Sequence, residues 1–114
     1  MARLLESRTP PTAVLASNDL TAIGALRAVR RKGWRVPEDV SVIGFDDIHF
    51  AEFTEPPLTT VALSRRELAE KAIRALLQHI EPQEPGNTAH GAEYTVTPVL
   101  VVRQSTANPA GGVQ

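Results

Sequence analysis

The run VSVIGF, from Val40 to Phe45, is the clearest strand in the sequence. It is apolar almost throughout and shows little alternation, which is typical of a strand covered on both faces of a parallel sheet. A polar turn precedes this run, and the pair Asp46-Asp47 follows it. The sequence therefore predicts a buried parallel strand with sharp ends.

The residues before this strand complete a β-α-β unit. Thr12 to Ala16 is a short apolar run rich in β-forming residues, and Asn18 to Lys32 has the apolar period of a helix that stops at Gly33. Strand, helix and strand joined by short connections are parallel and right-handed in nearly all known proteins. The predicted fold class is α/β with a parallel sheet.

The other predicted elements are short and lie on both sides of this unit. In chain order they are a helix end at Ala2 to Ser7, an irregular stretch around Phe50 and Phe53, a strand at Thr59 to Leu63, a helix from a capping box at Ser64 to Glu67 as far as Ile80, a loop from Pro82 to Gly91, and strands at Tyr94 to Thr97 and Val99 to Arg103. Residues 1–106 are predicted to form part of one subdomain, and residues 107–114 a disordered tail.

Composition and charge limit the possible functions. The 114 residues are 42% hydrophobic and 22% charged, which suits one small domain or a part of one. The net charge is −1 and the twelve Lys and Arg residues are scattered, so we expect no nucleic-acid surface on this chain. Cysteine is absent, and no stretch approaches the roughly 20 apolar residues of a membrane span. We expect a soluble, cytoplasmic chain without membrane contact.

Polar residues follow the two predicted strands of the β-α-β unit. In open parallel sheets the ligand lies outside the carboxyl ends of the strands. Here those positions hold Ser17, Asn18, Asp46 and Asp47, and His49 lies close by in sequence. Amide and carboxylate groups suit a ligand with many hydroxyl or amine groups, such as a sugar or a nucleobase. The alternative is that these residues only cap the helix and start a turn.

The predicted helix from Asn18 to Lys32 carries a second apolar pair. One stripe of mainly small residues suits close packing on a sheet, whereas Leu20 and Ile23 point to the opposite side, near Arg27. An apolar pair beside arginines is typical of an interface edge, so we predict that these residues contribute to a homodimer contact. The alternative is that another segment of the chain covers them.

Catalytic, metal and cofactor sites are not predicted. The sequence has neither a phosphate-binding loop of the G-x-x-x-x-G-K-[ST] type nor a G-x-G-x-x-G or G-x-S-x-G motif. His49, His79 and His90 lack metal-binding spacing. An enzyme of flavodoxin-like shape is a distant alternative that would need turnover dependent on Asp46.

Motifs along nearly the whole chain resemble the LacI/GalR family of transcription regulators. They are PTAV running into ASND (Pro11 to Asp19), AIGAL (Ala22 to Leu26), RVPEDVSVIGFDDI (Arg35 to Ile48), PLTTV (Pro57 to Val61) and VVRQST (Val101 to Thr106). Their order along the chain makes the resemblance far more specific than any single motif.

The resemblance implies a partial carboxy-terminal lobe of a two-lobed, periplasmic-binding-protein-like (type I) fold. In that family a small effector, often a carbohydrate or purine, binds between the lobes of a homodimer. Asn18 and Asp46 match positions that hydrogen-bond effector, the segment around Ser64 and Arg65 matches a region near it, and the dimer contact falls on the helix bearing Ile23. A fragment of a periplasmic or ABC-type sugar-binding protein is the alternative.

The family's helix-turn-helix, hinge and first lobe have no counterpart in these residues. The resemblance therefore implies that operator DNA is bound only through the missing amino-terminal domain. A small partial domain also leaves a sheet edge and apolar faces uncovered, so we expect the isolated chain to be marginally stable or to aggregate.

Overall fold

The computed structural model describes residues 1–80 and 93–109. Its elements, in chain order, are α1 (Ala2–Leu5), β1 (Ala13–Leu15), α2 (Asp19–Arg31), β2 (Ser41–Ile43), a 3-10 helix (His49–Phe53), β3 (Thr60–Ala62), α3 (Arg65–Ile80) and β4 (Val99–Val101). The chain divides into two compact units. The first comprises Met1–Ala62 with Val99–Gln114, and the second comprises Leu63–Pro98.

The first unit is built on the predicted β-α-β arrangement. β1 and β2 pair in parallel, with Leu15 opposite Ile43. The parallel pairing continues beyond β2, because Ile43 bridges Thr59 and the amide of Gly44 donates to the Thr59 carbonyl at 2.9 Å. β3 then pairs with β4, which is antiparallel to it. Within the described residues the first unit thus holds two two-stranded sheets, a parallel one of β1 and β2, as predicted, and an antiparallel one of β3 and β4. A parallel bridge between Ile43 and Thr59 connects them.

Helix α2 packs a stripe of mainly small side chains into the core. Its buried apolar residues are Ala22, Ala25, Leu26 and Val29, the set that the helical period selects. Small residues allow a helix to approach a sheet closely, and the fully buried Val42 of β2 belongs to the same core cluster as three of them. Asn18 caps the start of the helix and Gly33, at φ 76°, follows its end. The predicted helix bounds are confirmed.

The turn between α2 and β2 is held by one charged pair. The Asp39 carboxylate accepts hydrogen bonds from the Arg35 backbone amide at 2.8 Å and from its guanidinium nitrogens at 3.2 Å. The side-chain hydrogen bond from Arg35, followed by the backbone one, holds the pKa of Asp39 below its ordinary value. The pair is exposed, so it sets the geometry of the turn and adds little stability.

The second unit contains α3 and the segment after it. The Ser64 hydroxyl accepts a hydrogen bond from the Glu67 amide at 3.2 Å, which is one of the two bonds of the predicted capping box. The Glu67 carboxylate forms an ion pair with Lys71, at 2.6 Å. The larger apolar side chains of the helix remain more than half exposed; they are Leu68, Ile73, Leu76, Leu77 and Ile80. This agrees with the expectation that apolar surface stays uncovered.

The prediction of a strand from Tyr94 to Thr97 is wrong. Residues 93–98 have no regular secondary structure. The Tyr94 hydroxyl donates to Gln78 at 2.6 Å, and the Thr95 carbonyl accepts from the Lys71 ammonium. The segment is thus held to α3 by side-chain bonds instead of a strand ladder.

Three further predictions concern the stretch around Phe50 and Phe53, the loop at 82–91 and the tail. The stretch around Phe50 and Phe53, predicted to be irregular, contains a 3-10 helix. The predicted loop at 82–91 lies outside the described residues, and so does most of the predicted tail. Of that tail, Ala107 exchanges hydrogen bonds with the Ser41 hydroxyl at 3.1 and 3.3 Å. Among the described residues, no helix has the length and apolar character needed to cross a membrane.

Candidate functional site

The polar segments that follow β1 and β2 lie side by side. The Ala16 amide donates to the Ile43 carbonyl at 2.9 Å, and three residues later the Asp19 amide donates to the Phe45 carbonyl at 2.8 Å. These bonds bring the segment of Asn18 next to that of Asp46. The edge of the sheet where the sequence predicts a ligand therefore carries both of these segments.

Asp46 and Asp47 form a turn with an unusual backbone. Their φ angles are 109° and 48°, in the left-handed region that residues with a side chain rarely adopt. Such residues cost on the order of 1–3 kcal/mol each and persist only where surrounding contacts determine them. The Asp46 side chain is exposed and makes no hydrogen bond or ion pair within residues 1–80 and 93–109. Its carboxylate is therefore available to a ligand.

Asp19, the first residue of α2, lies fully buried behind this turn. Its carboxylate accepts hydrogen bonds from the Thr60 hydroxyl at 2.5 Å and from the Ile48 amide at 2.8 Å. A Cβ added at Gly44 would lie 2.1 Å from its Oδ1 atom. The missing side chain at Gly44 thus makes room for the carboxylate.

Asp19 is not among the predicted site residues, although it directly follows Asn18 in the ASND motif. The available clue was Gly44, which interrupts an otherwise apolar strand. A glycine inside a strand often marks a place where another group approaches the backbone closely. The sequence does not say which group that is.

Asp47 forms an ion pair with Arg103, which is not among the predicted site residues. The Arg103 guanidinium lies 2.7 Å from the Asp47 carboxylate, and the Arg103 side chain is 12% exposed. It also donates to the Leu58 carbonyl at 2.9 Å and contacts Glu52 at 3.4 Å. This ion pair anchors the turn to the loop before β3 and to the chain after β4.

The remaining predicted site residues differ in how they are held. Asn18 caps α2, because its side-chain oxygen accepts from the Thr21 amide at 2.8 Å, as the alternative interpretation expected. Ser17 is exposed at the same edge. His49 is also exposed, and its ring meets that of Phe53 edge-on with centroids 5.0 Å apart. The structure thus brings Ser17, Asn18 and Asp46 to one edge, while Asp47 faces Arg103.

A second surface lies on the outer side of α2. An open cleft of about 420 Å³ is lined by Ile23, Leu26, Arg27, Arg30, Arg31, Thr54 and Glu55. Leu20, on the same helix, is 69% exposed, so the described residues do not cover it. Ile23 is half-buried and Arg27 is exposed. The residues predicted to form a dimer contact therefore lie on an accessible face of the helix.

Comparison with known proteins gives consistent matches. Residues 1–106 match the family described as periplasmic binding protein-like domain. The HTH-type transcriptional repressor PurR of Haemophilus influenzae (strain Rd) is 44% identical over 105 residues, which cover 92% of this chain and 31% of the repressor. The chain thus spans about a third of the length of that relative.

Solved structures show the same likeness. A LacI family transcriptional regulator from Arthrobacter sp. FB24, in complex with lactose, is 37% identical with a TM-score of 0.76, covering 93% of this chain and 38% of that one. The lac repressor dimer bound to operator and an anti-inducer is 35% identical with a TM-score of 0.78, covering 92% and 35%.

Alanine substitutions at Gly44 and at Gly24 are expected to have opposite effects on stability. Gly44→Ala forces a methyl group onto that carboxylate and is expected to destabilise the chain by about 2–4 kcal/mol. Gly24→Ala is the control, since an added Cβ meets nothing within 4 Å there. It is expected to stabilise α2 by about 0.5–1 kcal/mol. Urea unfolding of the full-length protein that carries each variant measures both effects, and an unchanged midpoint for Gly44→Ala would contradict the packing described.

Proposed function

Because the chain belongs to the periplasmic binding protein-like domain family and matches the part of that domain found in LacI-family regulators, we propose that it forms part of the effector-sensing lobe of a DNA-binding transcription regulator. The observation that carries the proposal is the edge beside Asn18 and Asp46. An exposed carboxylate, held in a strained turn and without a partner in the described residues, stands where open α/β sheets bind ligands.

The chemistry of this edge favours a small polar effector. A carboxylate accepts hydrogen bonds from hydroxyl or amine groups, and hydrogen bonds to a charged group are stronger than neutral ones. Asp46 and Asn18 are the proposed main contacts, with Ser17 at the same edge and His49 close by in sequence. Asp47 is held by Arg103. A carbohydrate or a purine fits this set. The lactose complex of the Arthrobacter regulator supports the carbohydrate class.

The proposed role needs no catalysis by this chain and no cofactor. The relatives are transcription regulators, so we place the protein in the cytoplasm and assign operator binding to a helix-turn-helix segment outside these residues. An effector held between two lobes changes DNA affinity only if it distinguishes two states of the whole protein. A sugar-binding protein of a transport system has less support, because the Haemophilus influenzae relative is a transcriptional repressor.

The effector role of Asp46 predicts a specific loss of binding. In calorimetry on the full-length protein that carries this chain, Asp46→Asn is expected to weaken effector binding about 10- to 100-fold, since it removes a charged acceptor. The substitution suits the turn because Asn tolerates a positive φ. Glu38→Gln, at another exposed acid, is the control and should leave affinity unchanged. The titrants are sugars, beginning with lactose, and purines, beginning with adenine; no heat from either class would refute the assignment.

We also propose that the outer face of α2 forms a homodimer contact. Leu20 is exposed, and the half-buried Ile23 lines the open cleft together with Arg27. An exposed apolar patch flanked by arginines has the composition of an interface. The lac repressor, whose structure the chain resembles, was solved as a dimer.

A buried charge at this face should break the dimer. Ile23→Glu places a carboxylate in the proposed contact and is expected to raise the dimer dissociation constant at least about 100-fold. Thr21→Glu, also exposed on α2 but not lining the cleft, is the control and should leave the dimer intact. Sedimentation velocity of the full-length protein measures both variants, and an undisturbed dimer in Ile23→Glu would overturn the assignment.

A further inference from the structure

One residue holds the Asp46-Asp47 turn from both sides. The amide of Asp19 donates to the carbonyl of Phe45, just before the turn, at 2.8 Å. The carboxylate of the same residue accepts from the amide of Ile48, just after the turn, at 2.8 Å. Asp46 and Asp47 therefore lie between two residues that are both hydrogen-bonded to Asp19.

The carboxylate is itself fixed in a dry position. Asp19 is fully buried, and its second oxygen accepts from the Thr60 hydroxyl of β3 at 2.5 Å. Gly44 leaves it space on the strand side. A buried carboxylate is costly unless its oxygens are hydrogen-bonded, so its position is set by these partners and not by solvent.

A turn with two non-glycine residues at positive φ needs such support. Each residue would relax to an ordinary backbone conformation unless the contacts around it prevented this. The amide of Asp46 donates to the Val61 carbonyl at 2.9 Å, which fixes the strand side of the turn. Among the hydrogen bonds of residues 1–80 and 93–109, only those of Asp19 reach both Phe45, before the pair, and Ile48, after it.

We propose that Asp19 is a positioning residue, which does not touch the effector but holds the turn in the strained conformation that presents the Asp46 carboxylate to it. The proposal rests on the proposed effector role of Asp46. In this proposal Asp46 makes the contact with the effector, and Asp19 fixes the orientation of the Asp46 side chain. Binding energy is thus not lost in ordering the turn when the effector arrives.

The test is hydrogen exchange, read by mass spectrometry, on the intact protein that carries this chain, without added ligand. Asp19→Ala is expected to speed exchange across residues 46–48 about tenfold or more, because the acceptor of the Ile48 amide is lost. Exchange in the body of α2, residues 22–31, should remain within about twofold of the unmodified protein. Asp19→Asn should restore slow exchange at the turn, since its oxygen can accept from Ile48 while its nitrogen donates to the Thr60 hydroxyl.

The outcomes separate positioning from general stability. A rise confined to the turn with rescue by Asp19→Asn supports the proposal, whereas an equal rise in α2, or no rise at all, overturns it. If Asp19→Ala does not fold, Thr60→Val decides: it removes one of the bonds that fix the carboxylate, and an unchanged turn overturns the proposal. Retained effector binding in Asp46→Asn would instead contradict the effector role of Asp46 and leave the exchange result on Asp19 standing.

Discussion

The buried carboxylate of Asp19 joins three parts of the first unit that are distant in sequence. It links the start of α2 to β3 through the Thr60 hydroxyl and to the turn after β2 through the Ile48 amide. Moving a charge out of water costs on the order of several kcal/mol, and hydrogen bonds from fixed donors offset that cost. The arrangement also requires a glycine at position 44, where a Cβ would collide with the carboxylate. The edge of the sheet that carries the candidate site depends on this interaction.

Helix α2 takes part in both proposed surfaces. Its first turn, with Asn18 and Asp19, lies at the candidate effector edge, and its outer face lines the cleft beside Ile23. The opposite face is packed in the core, so the helix is anchored against the sheet along its length. One packed helix thus contributes residues to both the proposed effector edge and the proposed dimer contact.

The β-α-β unit could be predicted from the sequence because local rules agree there. The apolar run of β2, the helical period of α2 and the glycine that ends it all point to the same structure. The candidate site was found only in part. Asn18 and Asp46 follow strands and are recognisable by position, whereas the burial of Asp19 and the pairing of Asp47 with Arg103 join residues 29 to 56 positions apart. The prediction of a strand at Tyr94 to Thr97 is also wrong for lack of a distant partner, because β-forming residues do not form a strand without a neighbouring strand to pair with.

Native mass spectrometry of the protein purified from its source cells tests the central claim most directly, since it reads subunit mass, assembly and bound small molecule together. The account predicts a dimer whose subunit is about three times the 12.3 kDa of this chain, because the matched segment covers 31% of the repressor relative. Each subunit should retain a small polar ligand, or take one up from the effector class that gives heat in calorimetry. A 12.3 kDa monomer that binds no ligand would contradict a role in effector sensing.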